Sequence, residues 1–150
     1  MSAKQIPTRN EINVFNSPEE QSACDHFLGK SLDEAQQLFV DNSIYYQEDL
    51  MWMGSVAFRF YVEAAIRYIQ SPAAKDNSDI VNCFAGDLEF RMECRSKEEL
   101  APVAAQLASA CRFVIEHWEF FDVIPEVYAG LKERYLSLEK EFARLAVVAS

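Results

Sequence analysis

Aromatic, acidic and sulfur-containing side chains are concentrated in one short segment, YYQEDLMWM at residues 45–53. Flat aromatic rings and adaptable Met side chains are enriched at the centres of protein interfaces, and carboxylates beside them add selectivity by charge. The segment therefore predicts a contact surface for another protein or, alternatively, the lining of a small-molecule pocket. The residues that we expect at the contact are Tyr45, Tyr46, Glu48, Asp49 and Trp52, together with Arg59 from the helix that follows.

A nearly apolar helix is predicted directly after this segment. Residues 56–69 hold eleven apolar residues and three charged ones, Arg59, Glu63 and Arg67. Their four-residue spacing places them within about 80° of one another on a helix, so they form one polar stripe. Glu63 can pair with either arginine, and an arginine could instead hold a small anion. The apolar remainder must be covered, which predicts a central helix or part of an oligomer interface.

Glu48 and Asp49 are expected to lie just ahead of this helix, because the positive end of a helix dipole favours carboxylates. Ser55 is expected to cap the helix, which should run to about Gln70. With the aromatic residues beside them, these two acidic residues complete the candidate contact.

Patterns that carry catalysis or metal binding do not emerge from the sequence. The two histidines are His26 and His117, and Cys24 lies two positions from His26, which points the pair to different sides of a helix. There is no Cys-x-x-Cys pair and no Gly-rich phosphate loop. Glu116 and His117 are adjacent and predict a solvated acidic edge. No catalytic residue, metal site or cofactor is predicted.

The net charge is −10, from 14 basic and 24 acidic residues. Because phosphate groups are bound largely by Lys and Arg, this charge disfavours nucleic acid and anionic membrane surfaces as partners. A basic protein partner, or mimicry of nucleic acid, remains open. The chain shows neither the apolar run of a secretory signal nor the ~20 apolar residues of a membrane span, which predicts a cytoplasmic location.

The cysteines and glycines are predicted to have structural roles. The four cysteines are widely spaced and are expected to be free thiols, buried as small apolar side chains. Gly86 falls within a predicted helix, where it is expected to permit a close helix crossing.

The fold class predicted from the pattern of apolar residues and helix caps is all-α, with five or six helices around one core. Residues 1–16 are expected to form an arm and residues 17–150 a single helical domain. Helix starts are marked by capping sequences at Ser17, Ser31 and Ser96.

The C-terminal part is predicted to be an antiparallel helical hairpin. Apolar residues recur at three- and four-residue steps from Leu100 to Phe121 and again from Tyr128 to Leu145. A bend separates the two runs, and Pro125 is expected to begin the last helix. Pro102 implies a kink or a short turn followed by a new helix.

Three segments carry a resemblance to known proteins: the run of residues 45–69, VNCFAGDLEFR at residues 81–91 and PEVYAGLKERYLSLE at residues 125–139. They resemble a family of small bacterial proteins that form a domain of unknown function. The resemblance implies a bacterial cytosolic origin and no catalytic activity. A looser similarity of style, without a motif, links the chain to small acidic helical immunity proteins.

The leading hypothesis is a non-enzymatic cytosolic protein that binds another protein or a second copy of itself. The alternative is a small-ligand-binding protein or enzyme that uses the stripe of Arg59, Glu63 and Arg67 in an aromatic-lined cavity.

Overall fold

The computed structural model describes residues 5–149, and within that range it is all-α, with no β-strand. The predicted fold class is confirmed. Besides a single first turn, six helices of ten or more residues are present, linked in places by short 3₁₀ helices. The α-helices are α1 (Arg9–Ile12), α2 (Pro18–Phe27), α3 (Leu32–Trp52), α4 (Ser55–Ile69), α5 (Ser78–Cys94), α6 (Ala104–Glu116) and α7 (Leu131–Ala149).

The chain divides into two compact units, one ending at Tyr68 and the other beginning at Ile69. The first four residues of the predicted arm, and Ser150 at the end of the predicted domain, lie outside the described residues. The expectation of one domain over residues 17–150 stays a prediction. No helix in the described range is both long and apolar enough to cross a bilayer.

In the second unit, α6 and α7 form the predicted antiparallel hairpin, tied by an ion pair of 2.6 Å between Arg112 and Glu139. The predicted start of the last helix at Pro125 is wrong. Residues 125–130 form turns, and α7 begins at Leu131. Pro125 fixes a turn there instead of a first helical turn. The periodic residues of α7 are buried as expected: Leu131, Tyr135, Leu138 and Phe142.

Two of the four predicted caps form, and α4 begins at Ser55 itself, which places Gly54 in the cap position. Ser17 accepts a hydrogen bond from the backbone N–H of Glu20, and Ser31 exchanges bonds with Glu34 in a complete capping box. Ser96 caps no helix with its side chain, and the segment after it is a 3₁₀ helix that contains Pro102. A new helix, α6, begins after that proline at Ala104, which agrees with the predicted short turn followed by a new helix.

The predicted burial of α4 is confirmed. Its partly or fully exposed positions include Arg59, Glu63 and Arg67, which form the expected stripe, and Val56. The residues of α4 that are at most 7% exposed are Ala57, Phe58, Phe60, Tyr61, Val62, Ala64, Ala65, Ile66, Tyr68 and Ile69. A helix with so little polar surface is held by packing and not by its own propensity.

Tyr61 connects α4 to the end of α2. Its hydroxyl lies 2.8 Å from the backbone carbonyl oxygens of Phe27 and Lys30 and can donate to either. The carbonyl of Phe27, the last residue of α2, has no partner within the helix and accepts from the backbone N–H of Lys30 at 2.9 Å, so the hydroxyl adds a link from α4 to the same turn. Burial raises the pKa of Tyr61 to about 12, which keeps the hydroxyl protonated as a donor.

Gly54 lies where the N-terminal segment crosses the junction between α3 and α4. Its N–H donates to the carbonyl of Ile12 at 2.9 Å. A Cβ atom at this position would lie 2.2 Å from the backbone oxygen of Glu11 and 2.5 Å from a methyl group of Val14. Gly86 is the opposite case, because a Cβ there would meet nothing within 4 Å. The expected close crossing at Gly86 is therefore wrong.

We expect Gly54→Ala to lower the free energy of unfolding by about 3 kcal/mol, because the added methyl group must displace backbone and not a flexible side-chain end. Gly86→Ala is the matched control. It should raise stability by up to about 1 kcal/mol, since Ala is favoured over Gly inside a helix. Urea denaturation of both variants measures the two changes. Equal stability of Gly54→Ala and the parent chain would contradict the tight crossing.

A buried carboxylate anchors the chain just before α2. Glu20 is 2% exposed and accepts hydrogen bonds from the backbone N–H groups of Val14 and Phe15 and from the hydroxyl of Ser17. Burial acts to raise the pKa of Glu20, but the hydrogen bonds from Ser17, Phe15 and Val14 together outweigh it, so the pKa lies below its ordinary value of 4.5. The carboxylate thus stabilises the fold in its ionised form.

Glu20 should make stability depend on acid pH. Because its pKa is lowered in the folded state, its contribution is fully present above about pH 4.5 and is lost as the pH falls through the folded-state value. Glu20→Gln should lower the free energy of unfolding at pH 7 by about 2 kcal/mol, and this deficit should shrink as the pH is lowered. Urea denaturation between pH 7 and pH 3 measures both effects, with the exposed neighbour variant Glu19→Gln as control. A deficit that does not change with pH would contradict the assignment.

Candidate binding groove

The predicted contact segment lines a groove between α2 and α3 in the first unit. The pocket in this groove has a volume of about 290 Å³. One wall comes from the start of α2 and the other from the end of α3. The lining residues are Pro18, Glu19, Ser22, Tyr45, Glu48, Asp49 and Trp52.

A break within α3 sets the direction of the wall that carries the aromatic residues. Asn42 has non-helical backbone angles (φ −161°, ψ 80°), and its side chain accepts a hydrogen bond from the backbone N–H of Tyr45. Asn42 thus acts as an N-cap inside α3 and begins a second helical segment. In that segment Tyr45, Glu48, Asp49 and Trp52 are spaced by three, one and three residues, so they share one face.

Asp49 joins the two walls of the groove. Its side chain is 6% exposed, and its two oxygens accept hydrogen bonds from α2: the hydroxyl of Ser22 at 2.8 Å and Nδ1 of His26 at 2.6 Å. A buried carboxylate is tolerated only where such donors offset the loss of water. Asp49 is therefore a brace between helices, although it also lines the pocket.

His26, which is held by Asp49, also contacts an aromatic residue at the rim of the groove. Nδ1 of His26 bonds Asp49, and its Nε2 atom lies 3.3 Å from the hydroxyl of Tyr45, within hydrogen-bonding distance. The rings of His26, Tyr45 and Tyr46 also contact one another, with centroids 5.0–5.3 Å apart. Tyr45 is 53% exposed, so an exposed ring is held in place from behind.

The predicted position of Glu48 and Asp49, just ahead of α4, is wrong. Glu48 and Asp49 lie in the last turns of α3 and not at the positive end of α4. Since α3 continues to Trp52, the chain breaks between helices only at Met53 and Gly54. The carboxylates therefore face the negative end of their own helix dipole, and hydrogen bonds stabilise Asp49 in place of the dipole.

Eight residues were predicted for binding, at the contact or in the stripe on α4, and the structure brings four of them together in the pocket: Tyr45, Glu48, Asp49 and Trp52. Tyr46 lies behind them, with its ring also against Phe27. The remaining three, on α4, do not line the pocket. They are Arg59, Glu63 and Arg67.

The stripe on α4 is an ion-paired surface at its C-terminal end. Arg67 lies 2.6 Å from Glu63 and 3.4 Å from Asp33. The pairing of Glu63 with one of its two arginines is thus confirmed. The side chains of Arg67 and Asp33 are 42% and 93% exposed, so water screens these charges and the pairs add little stability.

Residue-by-residue reasoning missed both partners of Asp49. Ser22 and His26 lie four residues apart on α2 and therefore on one face, whereas the comparison made on the sequence was between His26 and Cys24. The i, i+4 spacing of a hydroxyl and an imidazole is the signal that was available. Their pairing with Asp49, 23 and 27 residues away, depends on how α2 packs against α3 and leaves no local pattern.

The other predictions from the sequence concern metal ligands, His117 and the cysteines. Among the described residues, no group of three or more His, Cys, Asp or Glu side chains is arranged to hold a metal ion. His117 bonds the carbonyl oxygen of Phe113 and stacks on its ring, on the exposed edge that was predicted. All four cysteines are free; Cys24 and Cys111 are buried, and Cys94 is exposed, contrary to expectation.

Comparison with known proteins adds no identification. No protein-family model, no curated protein and no solved structure matches the chain. The geometry of the groove is therefore the basis for a functional proposal.

Removing the carboxylate of Asp49 should change the stability of the chain far more than removing that of its neighbour Glu48. Asp49→Ala should lower the free energy of unfolding by about 3 kcal/mol, because it leaves Ser22 and His26 without their acceptor in a part-buried site. Glu48→Ala is the matched control and should change stability by less than about 0.5 kcal/mol, since its side chain is exposed. Thermal and urea unfolding measure both. Similar losses from the two variants would refute the role of Asp49 as a brace.

Proposed function

We propose that this chain acts by binding another protein through the groove between α2 and α3, and that it performs no catalysis. The observation that carries the proposal is an exposed aromatic ring at the rim of the pocket. Tyr45 is 53% exposed there, and Trp52, on the same face of α3, also lines the pocket. Exposed aromatic side chains at a pocket are typical of protein interaction sites.

The size of the pocket supports a protein partner over a metabolite. At about 290 Å³ it lies at the lower limit of cavities that bind small molecules, which are roughly 300–1,000 Å³ and enclose most of the ligand. A pocket of this size, open at a rim, fits one side chain of a larger partner. The alternative ligand site built on Arg59, Glu63 and Arg67 has less support, because none of these residues lines the groove and Arg67 is already ion-paired.

A different protein is favoured over a second copy of the chain. In a two-fold symmetric dimer, the same patch of each copy faces its equivalent. Glu19 and Glu48, both exposed at the groove, would then approach the same two carboxylates of the other copy. Repulsion between like charges opposes that arrangement. We place the interaction in the bacterial cytosol, as the sequence resemblance implies, and an immunity-like role would fit an acidic binding surface.

The proposal predicts that partner capture depends on the groove aromatics. The wild-type chain, immobilised on a resin and exposed to an extract of its source cells, should retain a partner protein. The variants Trp52→Ala and Tyr45→Ala should not retain it, because these side chains form the contact. Trp118→Ala is the matched control for loss of a tryptophan, since Trp118 belongs to the second unit. Mass spectrometry of the retained proteins is the measurement.

Two results would contradict the proposal. One is recovery of the same proteins from Trp52→Ala and from the wild type, with both chains equally folded. The other is a dimer by light scattering that Trp52→Ala abolishes, because the groove would then bind a second copy of the chain.

A further inference from the structure

We infer that the groove takes an arginine side chain of its partner; this inference rests on the proposed function and specifies the chemistry of the partner. The observation behind it is a pocket that combines two aromatic rings on one wall with carboxylates from both helices. Trp52 and Tyr45 supply the rings, and Glu19 and Glu48 supply exposed carboxylates on α2 and α3. A cation that enters the pocket can therefore meet aromatic faces and negative charge together.

The charge of the lining favours a cationic side chain as the occupant and disfavours an anionic one. The lining residues that the structure describes include three carboxylates and no Lys or Arg. Asp49 already accepts two hydrogen bonds, whereas neither Glu19 nor Glu48 has an ion-pair partner in the described part of the chain. These two carboxylates retain their capacity to accept hydrogen bonds from a bound cation.

Arginine fits these groups better than lysine. Its planar guanidinium can stack on an aromatic ring while its edge donates to carboxylates, and it loses less hydration than an ammonium group when it is bound. Tyr45 contributes a preset surface, because His26 and Tyr46 contact it from behind. Because this ring is already fixed, binding does not have to restrict its motion, and the affinity is higher without any additional contact.

The test uses the full chain and three dye-labelled peptides: hexa-arginine, hexa-lysine and hexa-citrulline, the last an uncharged analogue of the first. Fluorescence anisotropy in about 0.15 M salt, where the Debye length is about 8 Å, gives the dissociation constants with remote charges screened. Hexa-arginine should bind at least about ten-fold more tightly than hexa-citrulline and at least about three-fold more tightly than hexa-lysine. Equal binding of the lysine and arginine peptides would overturn the assignment to arginine.

Matched charge variants separate the groove from the overall charge of −10. Glu19→Gln with Glu48→Gln should weaken hexa-arginine binding about ten-fold or more. Glu126→Gln with Glu133→Gln removes the same charge from exposed positions of the second unit and should weaken it less than about two-fold. Equal weakening by both pairs would show attraction to net charge alone and would overturn the inference.

The two tryptophans provide a direct reading of the site. In a ¹H–¹⁵N spectrum, hexa-arginine should shift the indole signal of Trp52 and leave that of Trp118 in place, with Trp118→Phe used for assignment. A shift of the Trp118 signal alone would place the peptide elsewhere and overturn the inference.

If hexa-arginine fails to bind while partner capture still depends on Trp52, the arginine inference fails and the proposed function stands. If capture does not depend on Trp52, the proposed function itself fails.

Discussion

The buried carboxylate of Asp49 is the interaction on which the candidate site depends. It lies near the negative end of its own helix and is almost withdrawn from water, two conditions that both disfavour its charge. Ser22 and His26 offset them with hydrogen bonds from the neighbouring helix. A charge held in this way fixes the register of α2 against α3, and with it the distance between the two walls of the groove.

Neighbouring residues on α3 have separate roles because the helix turns by about 100° per residue. Asp49 is buried against α2, whereas Glu48 is exposed at the groove. Tyr45 meets His26 at the rim, whereas Tyr46 packs toward Phe27. The cap at Asn42 sets these directions for the whole second half of α3. The site is thus defined by one interhelical bond and one break in a helix.

Much of the fold was predictable from local patterns. The buried face of α7, the caps at Ser17 and Ser31 and the submerged α4 all follow from apolar spacing and capping chemistry, which act within a few residues. The pocket-lining aromatics were found because their types are unusual for a surface. What the sequence could not provide was the partner of each polar group. The pairing of Asp49 with His26 and the crossing at Gly54 both join distant segments, and neither has a local signature.

The crossing of the N-terminal segment over Gly54 also bears on how the chain can be shortened or fused. The carbonyl of Ile12 is the acceptor for the N–H of Gly54, a buried residue. A fragment that starts at Ser17 would therefore lose this acceptor as well as the backbone donors that solvate Glu20. Cargo or affinity tags should therefore be joined so that the first helical turn and the residues after it stay intact, because hydrogen bonds tie Ile12 to Gly54 and tie Val14 and Phe15 to Glu20.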